Sequence, residues 1–228
     1  MAGAYDAFFM HFGAQAHKMG FTVQERIVPP NAFLMPYQTV WRWRKPDVNG
    51  LFLQLGAGVF TINGGPPDYT HWGEFLPTVK EGVAGLLDAL NTYPGGRPSN
   101  FNQTLLRYID LFADDTAKLP PLDFLRDVMG LKIQLPDVIS ELPREGRDVI
   151  PHLTFAVPVK DGAVQLLFSH GTVAGRTGHI FDSTVVRNAE VALSSDAVAE
   201  SFTESHATTN KIFMALTKPL HAAMEAVE

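Results

Sequence analysis

The chain has 228 residues, 46% of them hydrophobic, no cysteine and a formal charge of −6. No run approaches the roughly 18 to 20 uninterrupted apolar residues of a membrane helix, and zero cysteines exclude disulfides, thiolate zinc sites and a cysteine nucleophile. The mild acidity argues against a broadly basic nucleic-acid surface while leaving room for a local basic patch.

Residues 4–19 predict a short amphipathic helix, because Phe8, Phe12, Ala16 and Met19 fall on one face and Gly20 follows as a stop. Core packing is the simpler use of these side chains, and a partner-binding helix is the alternative. The same stretch lacks the basic region of a signal peptide and contains Asp6 and His11, which makes a cytoplasmic location the expectation. FTVQERIV then alternates as a strand, closed by Pro29-Pro30.

Residues 38–112 carry the clearest order. Thr39, Trp41 and Trp43 alternate with Val40, Arg42 and Arg44, so the two sets belong on opposite faces of a strand. LFLQL and VFTIN follow, separated by turns at Asn49-Gly50 and Gly56-Ala57-Gly58, which predicts an antiparallel meander. Trp72, Phe75, Leu76, Val79, Val83, Leu86, Leu87 and Leu90 then recur at helical spacing. Asp68 or Thr70 is the expected N-cap, and Pro77 marks either a kink or the true helix start. Pro94-Gly95-Gly96 ends the helix, and QTLLRYIDLF reads as a strand returning to the meander.

PLDFLRDVMG predicts a short helix stopped by Gly130, and LKIQL reads as a short candidate strand. The polar segment 137–148 is the candidate linker. It divides the chain into a half at 1–145 and a half at 146–228. In the second half HLTFAVPV and AVQLLFS flank an Asp161-Gly162 turn, a glycine-rich loop HGTVAGRTGH precedes IFDSTVV, and EVAL is a short strand. Ser194-Ser195-Asp196 caps a last helix with a Phe202, Thr209, Phe213, Leu216, Leu220 stripe, which Pro219 kinks or divides. The fold class is therefore α+β, two related halves that each carry an antiparallel meander covered by a long helix. The repeated pattern points to an internal duplication, as one fused sheet or as two lobes.

Chemical signatures are sparse. His170 and His179 flank the glycine-rich loop and can converge, but the histidines lack HExxH spacing, so neither a metal nor a cofactor is expected. Gly171, Gly175 and Gly178 do not have P-loop spacing, and a hairpin explains them better. No GxSxG elbow is present. Asp110, Asp114 and Asp115 can pair carboxylates, although a solvated loop start is the plainer use. Arg107, on an otherwise apolar strand, calls for an acidic partner. In WRWRK, the aromatic Trp41 and Trp43 beside the basic Arg42 and Arg44 are the residue types that hold single-stranded nucleic acid. Alternation counts against that use, because it buries the tryptophans under the Trp72 helix and leaves the arginines in water.

The run from WRWR through LQLGAGVFTINGGPPDYTHWGEFLPTV to LLRYIDLF resembles a sporadically distributed family of uncharacterised bacterial proteins. That family shares a QLG-like strand, an N, Y, W series leading into the helix, and an LRY-like strand. SFTESHATTNKIFMALT, with His206 and Phe213, resembles the family's last helix, so the likeness spans about residues 35–220. It implies no established activity.

The reading that follows is a non-catalytic binding or regulatory module, acting through a protein partner or as a homo-oligomer in a bacterial system. An enzyme or small-ligand binder would instead use a cleft between the halves, with Arg107, Asp110, His170 and His179. A single-stranded nucleic-acid binder would use Trp41, Arg42, Trp43 and Arg44. No membrane association is expected.

Overall fold

The computed structural model describes residues 6–30, 32–48, 50–93, 97–113, 118–142 and 148–221. The protein is α+β with antiparallel sheets, and its chain divides into two compact units. The first comprises residues 1–102 and 190–201, and the second residues 103–189 and 202–228. The expected division at 145 and 146 therefore falls inside the second unit.

In the first unit, α1 (Asp6–Lys18) is followed by β1 (Val23–Arg26), β2 (Thr39–Arg44), β3 (Leu51–Gly56) and β4 (Val59–Gly64). These strands form one antiparallel sheet in sequence order. The predicted meander is present, with β1 added at its edge. Its buried face is the alternating one: Trp43, Leu51, Leu53 and Leu55 pack with Phe8, Phe9, Phe12 and Ala16 of α1 and with Leu86 and Ala89 of α2 (Trp72–Thr92). Such burial of large apolar side chains is the main stabilising term, at about 1.5–3 kcal/mol each.

Two details depart from strict alternation. Thr39 lies opposite Gly56 while Trp41 lies opposite Leu55, so Val40 occupies a β-bulge. The bulge turns Val40 into the core, away from the arginine face where alternation placed it. Phe12 of α1 meets Trp43 edge-on at 5.0 Å, and Leu86 and Ala89 of the Trp72 helix belong to the same core, so the two helices enclose it together. Gly13 permits this approach, since a Cβ there would stand 3.2 Å from Trp43 Nε1.

The start of α2 also differs from expectation. His71 is its N-cap and makes no side-chain capping bond. Asp68 instead accepts from the Gly50 amide at 2.8 Å, and Thr70 donates to Glu74. The helix runs through Pro77, which is neither its start nor its end. Asn49 and residues 94–96, where a turn and a helix stop are expected, lie outside the described residues. Short strands β5 (Asn100–Phe101) and β10 (Val191–Ala192) pair as a separate two-stranded sheet.

In the second unit, β6 (Thr104–Phe112) pairs with β9 (Arg176–Arg187), and β8 (Gly162–Val173) and β7 (Leu153–Val159) continue the sheet in the order β6-β9-β8-β7. The strand LLRYIDLF thus does not return to the first meander. The four-stranded sheets also differ in topology. In the first the leading strand flanks the second strand, and in the second it flanks the last. The strand orders therefore give no support to a duplication, and the strands do not fuse into one sheet.

The stretch expected as a glycine-rich loop is largely strand. Gly171 pairs with Gly178 and Thr172 with Thr177, and the reversal is confined to Ala174-Gly175. Both of those residues have positive φ, 50° and 81°, as a twist-matched two-residue hairpin demands.

One face of this sheet carries Phe112, Phe168 and Phe181 against Phe124, Leu125, Val128 and Met129. Phe124, Leu125 and Val128 belong to a π-helical turn (Phe124–Val128) that continues the short helix α3 (Pro121–Asp123), and Met129 is its C-cap. Residues 131–135 form no strand, and α4 (Asp137–Glu141) lies within the expected linker. The long helix α5 (Ser195–Leu216) is capped by Ser194 Oγ, which accepts from the Ala197 amide at 3.1 Å. It ends at Leu216, ahead of a 3₁₀ turn (Lys218–Leu220) that holds Pro219. Its residues to Ser201 belong to the first unit and those from Phe202 to the second.

Trp43, 1% exposed, anchors the first core. Trp43→Ala is expected to cost about 3–5 kcal/mol in urea unfolding, whereas Arg44→Ala, on the opposite face, should cost about 1 kcal/mol or less.

Candidate functional site

Register places Glu25, Arg42, Gln54 and Thr61 in one row across β1 to β4, on the face away from the core. Arg42 donates to Glu25 at 3.0 Å, and Arg44 Nε lies 3.7 Å from the same carboxylate oxygen. With its amide oxygen toward Arg42, Gln54 accepts from Nε and Nη2 at 3.2 Å each and donates to Thr61 at 3.2 Å. The Arg42 guanidinium also lies over the Phe52 ring, 4.9 Å from its centroid. The two arginines are thus half-buried members of a cross-strand network, and one carboxylate serves both. The structure separates them from Trp41 and Trp43, as alternation required. Trp43 is fully enclosed and Trp41 half-buried beside it, their rings 6.4 Å apart, so these two offer no paired stacking platform.

The other four candidates all fall in the second unit and on one sheet. Asp110, His170 and His179 share the face that bears Phe112 and Phe181, while Arg107 points to the opposite face. Arg107 finds the acidic partner its position called for. Its Nε donates to both oxygens of Asp182 at 3.0 and 3.1 Å, and its Nη2 donates as well. The buried member is the acid: Asp182's side chain is 9% exposed and that of Arg107 is 53% exposed.

His179 and His170 do converge. They are direct partners across the β8–β9 ladder, with rings 5.1 Å apart. His179 is buried and stacked on Phe124 at 4.1 Å and 10°, which places it in the aromatic core. Among the described residues no group of three or more His, Asp or Glu side chains could hold a metal ion. Asp114 and Asp115 lie outside the described residues.

Asp110 is the group whose electrostatics stand out. Burial, and secondarily the negative charge of Asp182, push its carboxyl up to about 6. Two residues away, on the same face, the Tyr108 hydroxyl lies 3.0 Å from His206 Nδ1. Burial lowers the His206 pKa and so favours the neutral ring, which accepts from the phenol when its proton sits on Nε2. The pairing joins residues 98 apart, and no local pattern announces it.

HLTFAVPV forms the expected strand, β7, but its place at the edge of the sheet was not foreseen. It is the terminal strand of its sheet, paired only with β8 among the described strands. Phe155, Val157 and Val159 are 43, 46 and 40% exposed on one face, and Ile150 just ahead of the strand is 64% exposed. No Asp, Glu, Lys or Arg occurs from Val149 to Val159. That signal is readable in the sequence, once the strand is known to be an edge.

Comparison with protein-family models, curated proteins and solved structures finds no match to this chain. No helix among the described residues is long and apolar enough to cross a membrane.

Two stability measurements test these polar groups. Because the folded protein holds the Asp110 proton more tightly than the unfolded chain does, its protonated form favours folding. That contribution is fully present below the ordinary carboxylate value and is lost as pH rises through about 6. Asp110→Asn should therefore match the wild type near pH 4 and exceed it by on the order of 1–2 kcal/mol at pH 7.5 in urea unfolding. Arg107→Ala should destabilise the second unit by about 1.5–3 kcal/mol, because Asp182 then stays buried without its cation. Adding Asp182→Asn should recover most of that loss.

Proposed function

We propose that this protein is a non-catalytic binding module whose second unit takes an extended segment of a protein partner onto the free edge of β7. The single observation behind this reading is the character of that edge. An unpaired strand presents backbone amides and carbonyls to any chain of matching conformation, and proteins ordinarily guard such edges with charge or cover. Here the guarding charges are missing and apolar side chains stand exposed beside the open backbone. Pro158 lacks an amide, which limits an added strand to the ladder over Leu153–Val157. In such strand addition the main chain supplies affinity and the alternate side chains supply selection. Phe155 and Val157 would do the selecting.

The partner is either a second polypeptide or another copy of this chain, in a bacterial cytoplasm if the resemblance of residues 35–220 to the uncharacterised bacterial family holds. An enzyme built on Arg107, Asp110, His170 and His179 is the weaker reading, because Arg107 lies on the other face from the remaining three. Nucleic-acid binding through the WRWR strand is weaker too, since the aromatic and basic groups oppose one another.

Native mass spectrometry of the tagged protein, purified gently from its host, tests the proposal together with the variant Val157→Lys. The position is exposed, so the variant should fold. A stoichiometric second chain that accompanies the wild type and is lost from the variant is the expected result. Backbone amides over 153–157 should then be protected from hydrogen exchange only in the complex. A partner retained by Val157→Lys, with no protection on β7, would reject this edge as the binding site.

A further inference from the structure

The backbone of β7 has a parity of its own. Lys160 and Asp161 make a two-residue reversal between the paired Val159 and Gly162, so that pair closes the hairpin with hydrogen bonds across it. Bonded and unbonded pairs alternate from there. Val157 opposite Val164, and Phe155 opposite Leu166, therefore turn their amides and carbonyls toward β8. The Ala174-Gly175 hairpin, closed by Val173 and Arg176, gives β8 the same parity. Thr154, Ala156 and Pro158 turn their backbone groups outward, where Thr154 and Ala156 meet no partner among the described residues. Pro158 thus stands where the ladder to β8 asks for no amide.

Charge and register favour one occupant for this edge. The chain carries a formal charge of −6, yet Val149 to Val159 contains no Asp, Glu, Lys or Arg. Two copies can meet along it without setting like charges opposite one another. The nearest charges beyond its ends are Asp148 and Lys160, both exposed and of opposite sign. A two-fold axis runs identical edges antiparallel, and so brings the Lys160 end of each copy to the Asp148 end of the other.

The register follows from the proline. With Phe155 opposite Phe155 of a second copy, Thr154 of each chain lies opposite Ala156 of the other, and each donates to and accepts from its mate. The Pro158 carbonyl then meets the amide of His152, just ahead of the strand. Moving the axis to Ala156 would set the Thr154 carbonyl against the amide that Pro158 lacks. On the axis the two Phe155 form an unbonded pair, about 4.5 Å apart at Cα, which suits aromatic contact. Val157 falls opposite Leu153. Phe155 and Val157, 43 and 46% exposed in the single chain, are covered together.

We infer that β7 pairs antiparallel with β7 of a second copy of this chain, about a two-fold axis at Phe155. The inference rests on the strand-addition reading and commits that edge to one occupant. The assembly closes as a dimer, because the sheet's other terminal strand, β6, carries Arg107 and Asp110.

Sedimentation equilibrium of the full chain should find a dimer in which the Thr154 and Ala156 amides are protected from hydrogen exchange. Ala156→Pro removes an outward amide at an exposed position and should give a folded monomer. Phe155→Lys and Phe155→Glu each set like charges across the axis, and each should weaken the dimer about tenfold. An equimolar mixture of those two should restore a heterodimer, which lost packing of Phe155 on Phe168 cannot explain. If Ala156→Pro misfolds by circular dichroism, the mixture decides.

A wild-type chain that stays monomeric would overturn self-pairing. Strand addition would then stand if a foreign polypeptide protects the same two amides, and fall if none does. A dimer that Ala156→Pro leaves intact, with Thr154 and Ala156 exchanging freely, would overturn both. Loss of the dimer in each charge variant without recovery on mixing would overturn the axis at Phe155.

Discussion

The pairing of β6 with β9 is the constraint on which the second unit depends. Without it the β7–β8–β9 meander would present an open edge at β9, and the buried Asp182 would lose its cation. Nine consecutive residue pairs join the two strands, from Thr104 opposite Arg187 to Phe112 opposite His179. The end of that ladder requires glycine, since a Cβ on Gly178 would stand 2.3 Å from the Phe112 carbonyl oxygen. Closing a contact across about seventy residues is entropically costly, and only slowly more so with length. The offsetting terms are backbone hydrogen bonds, the aromatic packing of Phe112 with Phe124 and Phe213, and the Arg107–Asp182 pair.

That pairing also sorts the polar residues. Arg107 and Asp182 meet on one face, where the guanidinium remains half in water and the acid does not. On the other face, Asp110 is held among apolar neighbours with its carboxyl raised, beside the Tyr108–His206 hydrogen bond. Carboxylates of this kind lie at functional sites often enough to attract attention. Here register brings Asp110 opposite Phe181, and His179 is stacked in the aromatic core. Among the described residues no side chain bonds to Asp110, so a structural account in terms of folding and pH is the stronger one.

What was legible in the sequence was local. Alternation and turn residues gave β2, β3 and β4, and helical spacing gave α1 and α2 to within a few residues. The hairpin expected at Asp161-Gly162 was readable for the same reason, although its two-residue reversal is Lys160-Asp161 and Gly162 already pairs with Val159. What was not legible depended on partners far along the chain. Nothing within LLRYIDLF says whether it returns to the strands before it or to those after it, because its apolar alternation suits either. The bulge at Val40 escaped because it changes the face of one residue without altering composition, and period-two reasoning has no term for it. The histidine-flanked glycines read as a loop because glycine weakens a strand, yet their cross-strand pairing carries the ladder to Ala174-Gly175. The candidate residues were found in the right strands. Their grouping into sites was decided by register, which the sequence does not print.

The edges of the two four-stranded sheets can be compared on physical grounds. β1 carries Glu25 and Arg26, and β6 carries Arg107 and Asp110, so both bear charges that discourage further pairing. β4 has no charge, but α2 lies against it: a Cβ on Gly64 would meet Phe75 at 2.6 Å, and one on Gly82 would meet Ile62 at 2.8 Å. β7 has neither charge nor a described element against its free side, and three of its apolar side chains remain substantially exposed. Pro158 is its single protective device, and it removes one donor at the far end of the strand. An edge left this way invites aggregation unless something occupies it in use. That liability, set against three edges that are charged or covered, is the physical reason to test the proposed strand addition at Leu153–Val157 before looking elsewhere.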